Sequence, residues 1–467
     1  MNQRESKDLR PFFNPKSVAL IGVSRDMNKF NGIVLKNILE VQYRGKIFPV
    51  NPYAEEILGI TCYPRVIDLP EIPELGIILH SDVIHIMENC AKKGIKNIII
   101  QADISLQDET SRNHIEKQIV ELAGKYSLNF IGPSLIGLIN FPGSFTTSII
   151  PVRDHIARKG KNADRASIGF MAQSGGLAGA CGWWAPSQGI SFSKVVHLGQ
   201  EYPGSIEDEY FLRYLMDDPQ VQIISLFLRR ISKSLIRTVR ACAGKKPVLY
   251  KKCGRPIGTK ELSGAGALEV TRYNDLFEIA KAFTYCPLPT GNRIALIGPS
   301  SGAIDVVLSE FKKNNLKIAV PSKSIRKQLI TVLQGTAPKR CNPVDYWPPP
   351  RFLGHEVGKV HKDAADLLLS DGNVDGLFLV LEFFHEIEFD LMILEPIKEK
   401  YPDKPIMGVL IQAEEDGANR VLEAATELKI PVFHEPERMV KAFALLHEFW
   451  KIKQSMAKNG EIKGEGD

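Results

Sequence analysis

The stretch Ser17–Pro52, SVALIGVSRDMNKFNGIVLKNILEVQYRGKIFPVNP, constrains the fold more than any other part of the chain. Four apolar residues, Val18 to Ile21, run into Gly22, then a short polar loop, then a helical pattern from Ile33 to Leu39. A second apolar run, Ile47 to Val50, stops at Asn51-Pro52. This is a strand–loop–helix–strand unit, the first half of a nucleotide-binding α/β sheet. A helix beginning near Gly32 aims unpaired N–H groups and the positive end of its dipole at the loop, which suits a phosphate. The loop is not a G-x-G-x-x-G, so the ordinary dinucleotide fingerprint is absent. The plainer reading of Gly22 is a tight turn.

Strand and helix patterns alternate almost throughout, which predicts parallel sheets with helices on both faces. Strand patterns at Leu75–His80, Lys96–Ala102 and Leu128–Asn140 extend the first unit, with helices such as Val83–Lys93 and His114–Tyr126 between them. The polar stretch Pro151–Arg165 reads as a linker. A second sheet is expected from Ala166–Gly176, Lys194–Gly199, Val221–Leu228 and Lys246–Lys252. Beyond a boundary at Cys286–Asn292, a third follows from Arg293–Leu308, Asp375–Phe383, Lys404–Gln412 and Ile430–Pro436. The expected fold class is α/β, with three doubly wound, Rossmann-like and flavodoxin-like domains in series. Their predicted bounds are 1–150, 165–286 and 291–455, with a flexible tail over 456–467. Each sheet opens with a strand into a small-residue turn, GVSRD, QSGG or GPSSG, and ligands of such sheets sit at those carboxyl ends. Ser174-Gly175-Gly176 and Ser300-Ser301-Gly302 directly precede helices, so each is a candidate phosphate cradle. Close helix–strand packing is the alternative use.

Composition narrows the partners. A net charge of +5, on 59 basic and 54 acidic residues, fits small anionic ligands, and no dense basic tract points to nucleic acid. Seven cysteines without a C-x-x-C pair suit reduced thiols and leave no zinc site, so no metal is expected on this chain. The start MNQRESKDLRPFF has no apolar signal region, and no apolar run reaches the length of a membrane span. A cytoplasmic protein without membrane contact is the expectation.

The phrases SVALIGVSRDMNKFNG, GKIFPVNPYAEEILGITCYP, GPSLIGLIN, GFMAQSGGLAG, GISFSKVVHLG, YLMDDPQVQIISLFL, IALIGPSSGAIDVV and NPVDYW occur in one order along the chain. In this combination the chain resembles the α subunit of the NDP-forming acyl-CoA synthetases, from about Leu9 to Trp450. That family comprises ADP-forming acetate–CoA ligase and its relative succinyl-CoA synthetase. The resemblance implies a CoA-binding Rossmann-like domain followed by two flavodoxin-like domains. It implies that CoA is held by Gly22, Ser24, Arg25 and Lys29, by Val50, Asn51 and Pro52, and by His80, Ser81 and Asp82. Ala102, Asp103, Gly132, Pro133 and Ser134 would complete that pocket, Ser134 standing where the family more often has Asn. Gln173, Ser174, Gly175 and Gly176 would receive a phosphoryl or acyl anion. A diphosphate needs backbone N–H groups and a cation, which Lys29 or Arg25 supplies.

The departures from that family are chemical. Its second domain carries the phosphoryl group on a histidine, in a mobile loop reading roughly Ser-His-Thr-Gly. Here that loop is missing near Lys260 to Ser263, and no histidine occurs between His197 and His355. Arg229-Arg230 follow the strand where the family has a glutamate that orients the phosphohistidine, and Gln200 replaces the usual Asn. A phosphohistidine relay needs an imidazole nucleophile held by a carboxylate. His197, on an apolar strand, reads as a core histidine rather than a substitute. Arginine forks suit carboxylates and phosphates, so Arg229 and Arg230 are the candidate catalytic pair, one of them facing the pocket; a solvated surface pair is the alternative.

The expected function is therefore a CoA- or acyl-CoA-binding α-type subunit. It would act on a carboxylic acid and CoA as a ligase or acyl/CoA transferase, by a mechanism without phosphohistidine. An ATP-grasp β subunit carrying ATP or ADP with Mg is the implied partner, in a homo- or hetero-oligomer. The alternative is a non-catalytic regulatory or scaffold subunit. An NAD-dependent oxidoreductase is disfavoured, since Asn51 stands where an acidic ribose ligand is expected. Trp183-Trp184 and the segment Asp345–Phe352 read either as walls of an acyl pocket or as packing residues.

Overall fold

A computed structural model describes residues 7–104, 107–152, 167–185, 190–199, 202–254, 258–333, 341–346, 355–382 and 390–464. Most of the expected linker, Gln200 and residues 347–352 of the aromatic segment lie outside the described residues. The chain divides into two compact units, Met1–Cys242 with Val248–Tyr273, and Ala243–Pro247 with Asn274–Asp467.

The first unit holds two sheets. The first is formed by β1 (Ser17–Ile21), β2 (Lys46–Val50), β5 (Leu75–Ile78), β6 (Asn97–Ile100) and β7 (Asn129–Ile131), with a small hairpin of β3 (Glu56–Ile57) and β4 (Ile60–Thr61) beside it. Its order is β2-β1-β5-β6-β7, all parallel. The two-residue period of β1 explains why it is buried on both faces. Val18 and Leu20 enter one apolar core, while Ala19 and Ile21 enter another with Val83 and Met87 of the helix Val83–Lys93.

The second sheet contains β8 (Leu138–Asn140), β9 (Phe145–Thr146), β10 (Ile168–Ala172), β11 (Phe192–His197), β12 (Ile223–Leu228), β13 (Val248–Lys252) and β14 (Leu268–Glu269), in the order β14-β13-β12-β10-β11-β8-β9. Here the structure departs from the sequence reading. Leu128–Asn140, expected to extend the first sheet, splits into β7 and β8, and β8 pairs antiparallel with β11 of the second sheet. Gly132 (φ +99°) and Ser134 (φ +59°) turn the backbone out of the first sheet, and Pro133 has no N–H for a ladder. The core containing Val18 and Leu20 continues through Phe12 and Phe13 to Met171, Val196, Phe211 and Tyr250. Buried amides reinforce the junction. Asn37 Nδ2 donates to Ser148 O (2.7 Å), and Gln101 Nε2 donates to Thr147 O (2.6 Å).

In the second unit, β15 (Arg293–Gly298), β16 (Lys317–Ile318), β17 (Val344–Asp345), β18 (Gly376–Leu381), β19 (Ile406–Leu410) and β20 (Val432–Phe433) form a parallel sheet. Its order is β16-β15-β18-β19-β20, with β17 also paired to β15. The helix Asp275–Tyr285, placed by the sequence reading with the preceding domain, belongs to this unit. Arg438 holds it there through Asp275 (2.8 Å) and Glu278. Arg438 lies on the helix Pro436–Gly464, so residues 456–464 of the expected tail are helical. Among the described residues, no helix is long and apolar enough to cross a membrane.

Candidate functional site

The first candidate region lies at the carboxyl ends of β1, β2 and β5. Gly22 takes φ +86° directly after β1, and a Cβ there would come within 2.6 Å of His80 Cβ. A side chain is thus excluded by both conformation and space. Gly22 N–H donates to Val50 O (2.9 Å), and Asn31 Nδ2 donates to Gly22 O (2.8 Å). Asn51 ties the loops together: its Nδ2 donates to Val23 O (2.8 Å) and its Oδ1 accepts from Tyr53 N–H (2.8 Å). Ser24 Oγ accepts from Asp26 N–H (3.0 Å), and His80 Nδ1 accepts from Asp82 N–H (3.1 Å). The helix starts at Phe30, earlier than its pattern suggests, with Lys29 as its N-cap. Arg25, Lys29, Pro52, Ser81 and Asp82 are exposed around this corner, and Val50 is buried beneath it. The geometry fits a nucleotide diphosphate: a fixed glycine turn, a helix start and two exposed cations. Asn51, unlike an aspartate, adds no charge that would repel a phosphorylated ribose.

The second region is a cavity of about 660 Å³ within the first unit. It brings together Pro133 and Ser134 from the first sheet with Gln173, Ser174, Gly175, Arg229 and Arg230 from the second. Gly22, Ser24, Arg25, Lys29, Val50–Pro52 and His80–Asp82 do not line it. Ser134 is held by the loop that follows β6: its N–H donates to Ala102 O (3.1 Å), and its Oγ donates to Asp103 (2.9 Å) and accepts from Ile104 N–H (3.2 Å).

Two findings go beyond the sequence reading. First, the Gln173 side chain is bonded to the arginine loop. Its Oε1 accepts the N–H groups of Arg229 (2.7 Å) and Arg230 (2.8 Å), and its Nε2 donates to Arg230 O (3.1 Å). Gln173 therefore positions the arginine loop. Second, the expectation that one arginine faces the pocket fails, because both line it. The alternation rule applies within a strand, and β12 ends at Leu228.

Ser174 is the N-cap of the helix Gly175–Trp184 and makes no side-chain capping bond. The N–H groups of that first turn have no intrahelical acceptor and point at the cavity end of the helix. Gly176, in the same turn, is exposed. The sequence reading missed Ile104, Arg112, Asn113, Glu116, His197, Gly199 and Tyr202, which complete the lining. Burial, with Glu116 as charge and hydrogen-bond partner, raises the Tyr202 hydroxyl, while Arg112 and Arg230 oppose the shift. Burial first, and the charge of Arg229 second, lower the His197 imidazole to about 4. The cavity thus carries three guanidinium groups against one carboxylate and a neutral imidazole. Such a set suits an anion with several oxygens. Trp183 is 52% exposed, and neither Trp183 nor Trp184 lines the cavity. Among the described residues, no group of three or more His, Cys, Asp or Glu is placed to hold a metal.

Comparison with known proteins fits this geometry. Residues 16–140 match a CoA-binding domain model, and residues 165–263 match the flavodoxin domain of succinyl-CoA ligase type. The chain is 29% identical over 471 residues to the α subunit of ADP-forming acetate–CoA ligase II of Pyrococcus furiosus, covering 94% of this chain and 97% of that one. It is 30% identical over 395 residues to the ADP-forming acetate–CoA ligase II of Archaeoglobus fulgidus, but covers 56% of that longer protein. A crystal structure from Pyrococcus horikoshii OT3 superposes with a TM-score of 0.81 at 27% identity, covering 96% of this chain and 100% of that one. The matched domains, their order and these relatives agree: the chain belongs with the α subunits of the ADP-forming acyl-CoA synthetases.

Proposed function

We propose that the chain is the CoA-binding subunit of an acyl-CoA-forming ligase, and that it holds its phosphoryl or acyl anion without a covalent phosphohistidine. The observation that carries this reading is the cavity where Ser134, the start of the helix Gly175–Trp184, Arg229 and Arg230 meet. Arg25 and Lys29 would hold the CoA diphosphate at the Gly22 turn, and CoA would supply the thiol. The thiol sulfur attacks the acyl carbon of an acyl phosphate, the bond between that carbon and the bridging oxygen breaks, and the phosphate, which keeps that oxygen, leaves with the thiol proton. Arg229, Arg230 and the helix start would neutralise charge on the departing phosphate. ATP or ADP with Mg would reside on a partner ATP-grasp β subunit, the source of the acyl phosphate.

Calorimetry tests the CoA half. The wild type should bind CoA, and Lys29→Glu should weaken that binding by more than about tenfold, since it places a negative charge beside phosphates. Absence of CoA binding to the wild type would sink the assignment of the first sheet. Incubation with labelled ATP, acid, CoA and the β subunit tests the other half. Acyl-CoA should form with no acid-labile, base-stable label on this chain. ATP consumption without acyl-CoA, or no ATP consumption, would favour the non-catalytic subunit.

A further inference from the structure

One buried polar side chain in the anion cavity has no part in that scheme. His197 is the last residue of β11, lines the cavity and is 7% exposed. Its Nδ1 accepts the Ile136 N–H at 3.0 Å, which places the proton of the neutral ring on Nε2. No bond to Nε2 occurs among the described residues. The ring lies against the helix start, where a Cβ on Gly175 would come within 2.9 Å of His197 Cε1. Arg112, Glu116, Tyr202, Arg229 and Arg230 are the other titratable or charged groups lining the cavity.

We propose that His197 is a neutral hydrogen-bond donor to a phosphoryl group, its Nε2–H converging with the first-turn N–H groups of the helix Gly175–Trp184 and with Arg229 on one tetrahedral anion. The ligand class is inorganic phosphate or the phosphoryl end of an acyl phosphate. The proposal rests on the reading of the cavity as an anion site. The polarity of the Nδ1 partner supports it. A nucleophilic Nε2 needs its lone pair free, which in a neutral ring requires the proton on Nδ1. A carboxylate beside Nδ1 would favour that tautomer, as a second-shell acceptor does for a liganded histidine. Here the partner is a backbone N–H, a donor, so moving the proton to Nδ1 would set two donors face to face and lose a buried hydrogen bond. The neighbouring guanidinium acts in the same direction, because it disfavours the imidazolium and leaves a donor with no charge of its own.

The test uses the full chain with nitrogen-labelled histidine. Long-range nitrogen–proton spectra should show His197 with its proton on Nε2 and no titration from about pH 5.5 to 8. Inorganic phosphate and acetyl phosphate, added separately, should each shift Nε2–H. In calorimetry His197→Gln, which keeps an N–H donor, should bind both anions within about threefold of wild type. His197→Leu should lose at least about tenfold. A proton on Nδ1, ordinary titration near 6.5, or phosphate binding that leaves Nε2 unmoved would overturn the donor role and leave the anion site standing. Phosphoryl label on His197 after acetyl phosphate would make it a covalent carrier instead. Absence of any phosphate binding would overturn the anion site together with the donor. CoA affinity, measured on the same samples, reports the Gly22 corner separately.

Discussion

Two corners of this chain look alike in sequence and differ in what surrounds them. Gln173-Ser174-Gly175-Gly176 follows β10, and Pro299-Ser300-Ser301-Gly302 follows β15; each leads from a buried strand into a helix capped by serine. At the first, the helix start opens onto Arg112, Arg229 and Arg230. At the second, Ser300 Oγ is used as the cap for Ala303 N–H (3.4 Å), and acids gather instead. Burial and then Asp305 raise the Asp345 carboxyl, and burial raises Glu382 just beyond β18. The backbone turn supplies N–H donors in both corners, but the sign of the surrounding charge decides whether an anion is welcome.

The sharpest way to break this comparison is to reverse the charge at the first corner. Arg229→Glu should lower phosphate and acetyl phosphate affinity by about a hundredfold or more, on the order of 3 kcal/mol, and be worse than alanine. Because both arginines line the cavity, Arg229→Ala and Arg230→Ala should each lose about tenfold by calorimetry. Both remaining within about twofold of wild type would reduce the pair to surface charge.

Acid should then separate the corners. His197 is held below its ordinary 6.5, at about 4, so its contribution to stability is complete above pH 6.5 and is lost as pH falls toward 4. Asp345 and Glu382 are shifted upward, so the second corner gains stability as pH falls through their raised range. Thermal unfolding followed from pH 7.5 to 4.5 should show the His197 part as a loss on the order of 2 kcal/mol. His197→Gln, which does not titrate, should flatten it, and an unchanged acid limb in that variant would place the titration elsewhere.

Gln173→Leu should cost about 1 kcal/mol, since it removes the hydrogen bonds that tie the exposed Arg229–Arg230 backbone to the Gln173 side chain. Anion affinity should fall several-fold although neither arginine is touched; an unchanged affinity would mean that their position does not depend on the clamp. The smallest effect is at the second corner. Asp345→Asn removes a carboxylate from beside Asp305 and should raise Tm at neutral pH by about 1–2 °C. A fall in Tm would show that the charge serves a partner there.

Strand and helix positions were legible because their periodicities are local, and β1, β5, β10, β12, β15 and β19 lie where their apolar runs predict. The partner of a strand is not local. Leu138–Asn140 reads like any buried strand, and nothing in its composition says that it leaves the first sheet for the second. The site was legible where small residues mark a turn, at Gly22, Gly132 and Ser174–Gly176. It was not legible where an ordinary surface residue is recruited. Arg112 and Glu116 are spaced four apart on the helix Glu109–Tyr126, and from sequence they resemble a solvated face. The occupation of Gln173 by the arginine backbone was equally invisible, since the N–H groups its Oε1 accepts lie more than fifty residues away.

The crossing of the chain at Gly132–Ser134 has a consequence for how such modules can be exchanged. The strands β8 and β9 complete the second sheet, yet they are encoded directly after the last strand of the first. Recombination that cut at residue 150 would transplant a nucleotide module carrying two strands of its neighbour's sheet, and leave that neighbour with β11 as a bare edge. A cut before Leu138 would take from the buried amide of Asn37 both its acceptors, Ser148 O and Ile150 O, and from that of Gln101 its acceptor Thr147 O. An exchange that keeps both sheets complete must therefore move the two modules as a pair, whereas the cavity at their junction can be altered by single substitutions at Arg229, Arg230 or His197.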